Sequence, residues 1–566
     1  MRLANVAIHN FRSIRHAAFE AHPYTLLVGA NNAGKTAVID ALRAFYEHEK
    51  YKYKADRDAP RNPDPDDQAS WVELQFTLTE QEVEQLPDQY RLPGDKLKVR
   101  KWFSNAPEGR EDGTIYGYEG AGELSSNAIF GAANVQKGRL GKLIYIPAVS
   151  KVDDHTKLSG PSVLRNTIDE LLGAVISESP AYERFKGEFE AFAEEIRNSA
   201  AEDGRSLQQF EQHLTDELAS WDAGFKLRFE PPNPQAITKN LIGWDMTDAD
   251  GSAVGHGIEQ YGSGFQRHFI ASLIRTRAYF QTRPAPARRQ FSPDLTLILF
   301  EEPEAYLHPP QQAALARNLR EVVSNSAWQV LASTHSPQFV SRNTEHLGCL
   351  VRVRKNDNIS TTHQLSPEDI TAIFSAREEL EGIVGNWDQL DDDQRGELER
   401  IRFFLWMDNE RSSLFFVDLV LLVEGPTESA LFSRMIDDGR LELPKTTCEI
   451  LHSDGKYNAI RFMRLLAKLG MPHIVVHDAD PNGGRCQEQL NELIQREAQN
   501  SEFTYDVILL DPDLEDYLEW PKPQRRHQGL KPGVALLNYE ERGATTPKLD
   551  ELCARIVQCI PVEAGT

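Results

Sequence analysis

The sequence predicts an α/β protein with two catalytic domains, and three observations carry that expectation. An aliphatic strand runs into a glycine loop and an amphipathic helix in "YTLLVGANNAGKTAVIDALRAFY" (24–46). A second aliphatic strand, within "LTLILFEEPEAYLHP" (295–309), delivers acids to its C-terminal end. The last quarter alternates strand and helix, again with acids where strands end. Open parallel sheets collect ligands along the carboxyl ends of their strands, so acids placed there share one edge.

At 566 residues the chain exceeds a single hydrophobic core, and three or four domains are expected. No run approaches the ~18 apolar residues of a membrane span. The N-terminus, "MRLANVAIHNFRSI", alternates like a strand and lacks the apolar core of a signal peptide. Both features point to a cytoplasmic protein with no membrane partner. The five cysteines are scattered and without a C-x-x-C pair, which argues against a disulfide framework or a structural zinc site. A net charge of −24 does not exclude nucleic acid, because phosphates meet local basic surface rather than net charge. Arg267, Arg275, Arg277, Arg283, Arg288 and Arg289 crowd residues 266–290, and segments 96–102 and 521–531 are also basic. The competing explanation for each is a solvated helix or loop face.

Residues Gly29 to Thr36 fit G-x-x-x-x-G-K-[ST] between a strand and a helix. In that geometry the loop through Asn31, Asn32 and Gly34 cradles phosphates with backbone N–H groups at a helix N-terminus. Lys35 reaches the β- and γ-phosphates, and Thr36 offers its hydroxyl to Mg²⁺. The cofactor expected here is ATP with Mg²⁺. At 295–302 the strand presents Glu301 to the Mg²⁺ shell and Glu302 to an attacking water. A further strand in "WQVLASTHSPQFV" ends in Ser333, Thr334 and His335, placing His335 where a γ-phosphate sensor sits, with a polar cap at the strand tip as the alternative. In "YGSGFQRHFIASLI", Ser263 and Gly264 open a helix and expose N–H groups and a hydroxyl to an anion.

Segments 162–200 and 206–221 carry apolar residues at helical spacing. They are read as a helical insertion over 160–225, a dimerisation or lever arm, with a plain helical layer over the sheet as the alternative. The insertion divides the nucleotide-binding domain into 1–159 and 226–364. Residues 365–415 read as a charged helical linker whose Asp391, Asp392 and Asp393 start a solvated helix.

The C-terminal domain, 416–525, opens with "DLVLLVEGPTESAL" (418–431). Burial explains Leu419 to Val423 but not Glu424 and Glu428. Further strands lead to Gly455-Lys456, to Asp478 and Asp480 in "HIVVHDAD", and to "DPDLEDYLEW". Carboxylates gathered at about 4 Å repel by roughly 4 kcal/mol per pair at an effective dielectric near 20. Divalent cations with oxygen preference relieve that repulsion, and two of them support phosphodiester cleavage. The competing explanation is a set of capping and turn acids. An extension, 526–566, follows.

Taken together, "IHNFRSI" (8–14), "GSGFQR", "FEEPEAYLHP" and "STHSP" resemble the ABC-type ATPases of the RecF/SMC branch. The resemblance implies that Ser263 and Gly264 of one protomer act on ATP bound at Lys35 of another, in a homodimer or tetramer. Glu301 stands where most members carry Asp, and Gln68 is a candidate Q-loop residue. E-G-x-x-E followed about 50 residues later by D-x-D resembles a Toprim domain. The combination resembles the OLD (overcoming lysogenization defect) family of nucleases, which includes the Gabija nuclease subunit and retron-associated relatives. Carried over by position, Glu424, Glu428, Asp478, Asp480 and Glu515 would bind Mg²⁺ or Mn²⁺, with Asp511 and Asp513 competing for the role of Glu515. Lys531 would stabilise the pentavalent transition state; its alternative is a surface lysine before a proline turn. Asp454 replaces a glycine common in the family and is a weaker ligand candidate. The resemblance implies an ATP-regulated, metal-dependent DNA endonuclease in anti-phage defence, with a helicase or other defence subunit as a further partner. The alternative is an ATP-driven sensor or scaffold whose partner does the damage.

Overall fold

The computed structural model describes residues 1–63, 67–120, 122–129, 139–148, 156, 162–244, 246–247, 258–280, 291, 293–324, 328–341, 343–374, 411–443, 447–481, 485–523 and 529–560. Arg283, Arg288, Arg289, Asp391, Asp392, Asp393 and most of the expected 365–415 linker lie outside these residues, as do 524–528 of the basic segment 521–531.

Contacts divide the chain into two compact units, Met1–Ala148 with Pro286–Thr566, and Val149–Ala285. The first contains a mixed twelve-stranded sheet. Its strands are β1 (Arg2–Phe11), β2 (Ile14–Glu20), β3 (Tyr24–Val28), β4 (Ser70–Thr77), β5 (Lys96–Ser104), β6 (Ile115–Tyr118), β7 (Leu124–Ala128), β8 (Lys142–Ile146), β9 (Thr296–Glu301), β10 (Trp328–Ser333), β11 (Leu350–Asn356) and β12 (Ile359–Gln364). The order is β7-β6-β5-β4-β1-β2-β12-β11-β3-β10-β9-β8. β11, β3, β10, β9 and β8 run parallel, and every residue of β3, β9 and β10 is buried. Continuous aliphatic runs suit strands covered on both faces. β2 instead alternates buried and exposed positions, as a strand in a wing with one wet face should.

The same unit holds a second, four-stranded sheet built from β13 (Leu419–Val423), β14 (Cys448–His452), β15 (His473–Asp478) and β16 (Thr504–Leu510). Its order is β14-β13-β15-β16 and all pairs are parallel. Each crossover between consecutive strands carries a helix: Pro426–Asp437, Lys456–Lys468 and Arg485–Gln499. Leu419, Leu421, Val423, Ile474, Val476, Ile508 and Leu510 meet Leu431, Phe432 and the C-terminal helix Pro547–Gln558 in one core.

The two sheets meet through a buried arginine. Arg352 on β11 is 2% exposed and donates from its guanidinium to the carbonyls of Gly470 at 2.7 Å and Val417 at 3.0 Å. Val417 lies just before β13, and Arg352 itself pairs with Val28, the residue before the glycine loop. Beside it, the ring of His363 closes on Gly470, whose φ of +62° and lack of a side chain permit the approach.

The second unit is helical. Ser162, Ser179 and Ser206 cap the helices Val163–Glu178, Pro180–Asn198 and Leu207–Leu218, each hydroxyl accepting from a first-turn N–H. The insertion expected over 160–225 falls inside this unit, which continues to Ala285 and includes the helix Ser263–Phe280.

Candidate functional site

The glycine loop leaves β3 and enters the helix Lys35–Tyr46. Gly29 has φ +137°, and a Cβ there would lie 2.2 Å from the carbonyl oxygen of Val353. At Gly34, φ +110°, a Cβ would lie 2.5 Å from Ser360 Oγ. Both glycines are therefore required by backbone shape and by space. Lys35 is buried and donates to the carbonyls of Gly29 at 2.8 Å and Ala30 at 2.9 Å. Burial lowers its ammonium to about 8, against the attraction of Glu302 and Glu304. Asn31 and Asn32 line a cavity of about 440 Å³ together with Asn62, Arg354 and Asp418.

Glu301 ends β9 beside the loop. Thr36 and Tyr145 both hydrogen-bond its carboxylate, the latter at 2.7 Å. Thus Thr36 and Glu301, the two expected Mg²⁺ neighbours, do meet. Burial holds the Glu301 carboxyl above its usual range. Glu302 takes φ +43° and donates its N–H to Ser333 at the end of β10. His335 follows that strand; burial and then Lys35 lower its imidazole. Its N–H, with the Thr334 hydroxyl, is held by Glu304. Sequence reasoning assigned no role to Glu304 or Tyr145. Glu304 was visible as the next acid after Glu301 and Glu302, whereas nothing local marks Tyr145. Ser263 and Gly264 begin their helix in the second unit.

The second set of residues lies at the carboxyl edge of the four-stranded sheet. β13 ends at Val423, Glu424 follows, and the helix Pro426–Asp437 starts with proline at its first position. Glu428 is 5% exposed and accepts the Gly425 N–H at 3.0 Å, so it caps this helix as well as facing the other acids. Asp478 ends β15; its N–H donates to Glu424 Oε2 at 3.1 Å, and its Oδ1 accepts from Leu514 N at 3.1 Å. Those two bonds join the ends of β13 and β15 to the short helix that follows β16. Glu515, the next residue, is 1% exposed; its Oε1 has no hydrogen-bond partner, and Oε2 lies 3.1 Å from Lys531 Nζ. On the other flank, Asp480 pairs with Lys456 Nζ at 2.9 Å.

Burial is the largest influence on these carboxyls. Glu424 is raised to about 7, with Asp480 and Glu428 adding repulsion against the pull of Lys456. Asp478 is raised to about 8, by burial and then by Glu428, Glu424 and Asp480. Glu428 is raised as well, chiefly by burial. Burial opposes the charge on Lys531, yet Glu515, Asp478 and Glu428 hold its ammonium above the ordinary range.

Among the described residues no three ligand groups close into a ready coordination set, and the two lysines act as counter-ions. The donor set nevertheless fits a hard divalent cation: all oxygens, mutually repelling, one of them buried without a partner. Asp513 caps the turn at Asp516 and pairs with Lys522, and Asp511 is exposed, whereas Glu515 is buried close enough to Glu428 to repel it. Asp454 pairs with His452 at 3.1 Å rather than with the acids. Lys456 was passed over as a site residue, although its place after Gly455 at a sheet edge was a usable signal.

The AAA ATPase domain family model matches residues 1–105 and 63–340. The chain belongs to that family. A second model, the overcoming lysogenization defect protein-like TOPRIM domain, matches 415–480 and spans Glu424, Glu428, Asp478 and Asp480. This is therefore an AAA ATPase carrying an OLD-like Toprim domain. Old nuclease of Escherichia phage P2 is 24% identical over 88% of this chain and 81% of its own. OLD nuclease of Thermus scotoductus is 22% identical over 91% of each, and Endonuclease GajA of Bacillus cereus (strain VD045) 22% over 87% and 78%. A solved SMC head bound to the C-winged helix domain of ScpA aligns at 13% identity and a TM-score of 0.36, over 65% of this chain and 98% of that one. That likeness is too low to carry an argument.

Proposed function

We propose that this chain is an ATP-regulated, divalent-metal-dependent DNA endonuclease, used against phage or other foreign DNA. The observation that carries the reading is the lock between strand ends that sets Glu424, Asp478 and Glu515 side by side with Lys531 at their edge. The three nuclease-named relatives, each covering most of the chain, support it. Glu424, Glu428, Asp478, Asp480 and Glu515 would hold Mg²⁺ or Mn²⁺, which supplies Lewis acidity and a lowered water pKa when bound. Water is the nucleophile. Glu424 and Asp478 are already held in place by backbone N–H contacts, so both carboxylates would face the cations from fixed positions. Lys531 presents an ammonium to the charge that grows on the phosphorane.

In the nucleotide half, Lys35 exchanges the carbonyls of Gly29 and Ala30 for the β- and γ-phosphates of ATP. Thr36 and Glu301 hold its Mg²⁺, Glu302 orients the attacking water, and His335 senses the γ-phosphate. Ser263 and Gly264 from a second protomer complete that site, in a dimer or tetramer. Self-association through the helical unit is supported by exposed Phe192, Phe210 and Trp221. A helicase or other defence subunit is a further partner on the family resemblance alone. Among the described residues no helix is long and apolar enough to cross a membrane.

Supercoiled plasmid with Mg²⁺ or Mn²⁺, incubated with and without ATP, tests the proposal. Nicked or linear product that EDTA abolishes, and whose response to ATP disappears in Lys35→Ala, is the expected result. Product formation indifferent to EDTA contradicts the metal assignment. No product with wild-type protein under any condition favours the sensor or scaffold alternative.

A further inference from the structure

Lys456 stands in an unfavourable place for a cation. It opens the helix Lys456–Lys468, where the positive end of the helix dipole repels an ammonium, and its side chain is 1% exposed. The preceding loop forces it there. Ser453 donates from its backbone N–H and its hydroxyl to the Val423 carbonyl, at 2.9 and 3.1 Å, and Gly455 N donates to the Glu424 carbonyl at 3.0 Å. Asp454 and Gly455, at φ +57° and +109°, then reverse the chain and turn Lys456 inward. The four-carbon stem is buried and Nζ reaches Asp480 Oδ2 at 2.9 Å. The Asp480 carboxylate is the ion-pair partner that offsets the burial of this side chain.

A counter-ion for Asp480 is not sufficient reason to build this arrangement, because a divalent cation would serve the same carboxylate. The two lysines are instead disposed symmetrically: Lys531 on Glu515 at one flank, Lys456 on Asp480 at the other. Five carboxylates, two ammoniums and two divalent cations would leave one positive charge, which a phosphodiester monoanion balances. Gly455 N–H ties the turn before Lys456 to the Glu424 carbonyl, which keeps the base of the lysine at the edge that carries the acids.

We propose that Lys456 is a second catalytic lysine of the Toprim site, yielding Asp480 to the divalent cation and carrying its ammonium to the DNA phosphate being cleaved. This rests on the nuclease reading above. The role is electrostatic, and no proton leaves the ammonium.

The full chain, stripped with EDTA, is titrated with Mn²⁺ by calorimetry without DNA, and single-turnover plasmid cleavage is measured at saturating Mn²⁺. Lys456→Met is expected to bind Mn²⁺ at least as tightly as wild type, since a competitor for Asp480 is gone. Its cleavage rate is expected to fall by about 100-fold or more, the cost of losing a transition-state donor. Lys456→Arg, which keeps the charge and the contact to Asp480, should regain at least a tenth of the wild-type rate, and it decides the matter if the methionine variant does not melt cooperatively. Cleavage by Lys456→Met within about threefold of wild type overturns the proposal. So does a roughly tenfold weaker Mn²⁺ affinity in Lys456→Met or Lys456→Arg, which would make the lysine a mere support for the acids. Where wild type cleaves and Glu424→Ala does not, such a result sinks the role of Lys456 alone; a wild type that binds Mn²⁺ and cleaves nothing sinks the nuclease reading with it.

Discussion

Gly29 is a residue whose role can be read from both directions. The motif required a glycine there, and the structure adds the reason: Val353 leaves no room for a Cβ in a backbone already at φ +137°. Gly29→Ala is expected to cost about 2 kcal/mol or more in urea unfolding and to abolish ATP binding by fluorescent-nucleotide titration. A stable variant that still binds ATP would contradict the packing argument. Glu424, Asp478 and Lys35 were equally legible, because strand-end acids and a P-loop lysine announce themselves locally. Tyr145 was not. Its hydrogen bond to Glu301 spans 156 residues, and no periodicity or spacing encodes such a pairing. Tyr145→Phe is expected to weaken Mg²⁺-dependent ATP binding several-fold while leaving the melting temperature within a few degrees, because only one hydroxyl contact to Glu301 is lost.

At the scale of elements, buried strands were legible for a plain physical reason. β3, β9, β10 and β13 are mostly apolar, and each is buried at every position. What the sequence concealed was the seam between the sheets. Arg352 and His363 look like ordinary strand residues, yet they reach the carbonyls of Val417 and Gly470 and the face of Gly470. Arg352→Met would strand those carbonyls in the interior, and a loss of roughly 3 kcal/mol in chemical denaturation is expected. A change below about 0.5 kcal/mol would mean that water reaches them.

β15 carries a pH signature. His473 is fully buried, donates from Nδ1 to the Met471 carbonyl and accepts from Thr504 at Nε2, so burial lowers its imidazole to about 4. Its folded value lies below the unfolded one near 6.5, so the unfolded chain binds more protons between the two. Stability is therefore fully present above pH 6.5 and is lost as pH falls toward 4, by on the order of 3 kcal/mol from this residue. His473→Gln should flatten the melting-temperature profile over that window; an unchanged profile would remove His473 from the account.

For the molecule as a whole, the nucleotide loop and the Toprim carboxylates belong to one compact unit, linked by β11 and Arg352, while the helical unit is separate by contacts. The sequence indicated helices over 160–225 through their apolar spacing. It did not mark where that unit ends, because polar and glycine-containing sequence separates those helices from the helix Ser263–Phe280. The central claim is that the carboxylates at the sheet edge cleave DNA. Single-turnover cleavage of supercoiled plasmid in Mn²⁺ by wild type and by Glu424→Ala, the two matched by circular dichroism, tests it most directly. The account predicts a loss of at least about 1,000-fold in Glu424→Ala with the fold intact. Equal rates in the two proteins would contradict it.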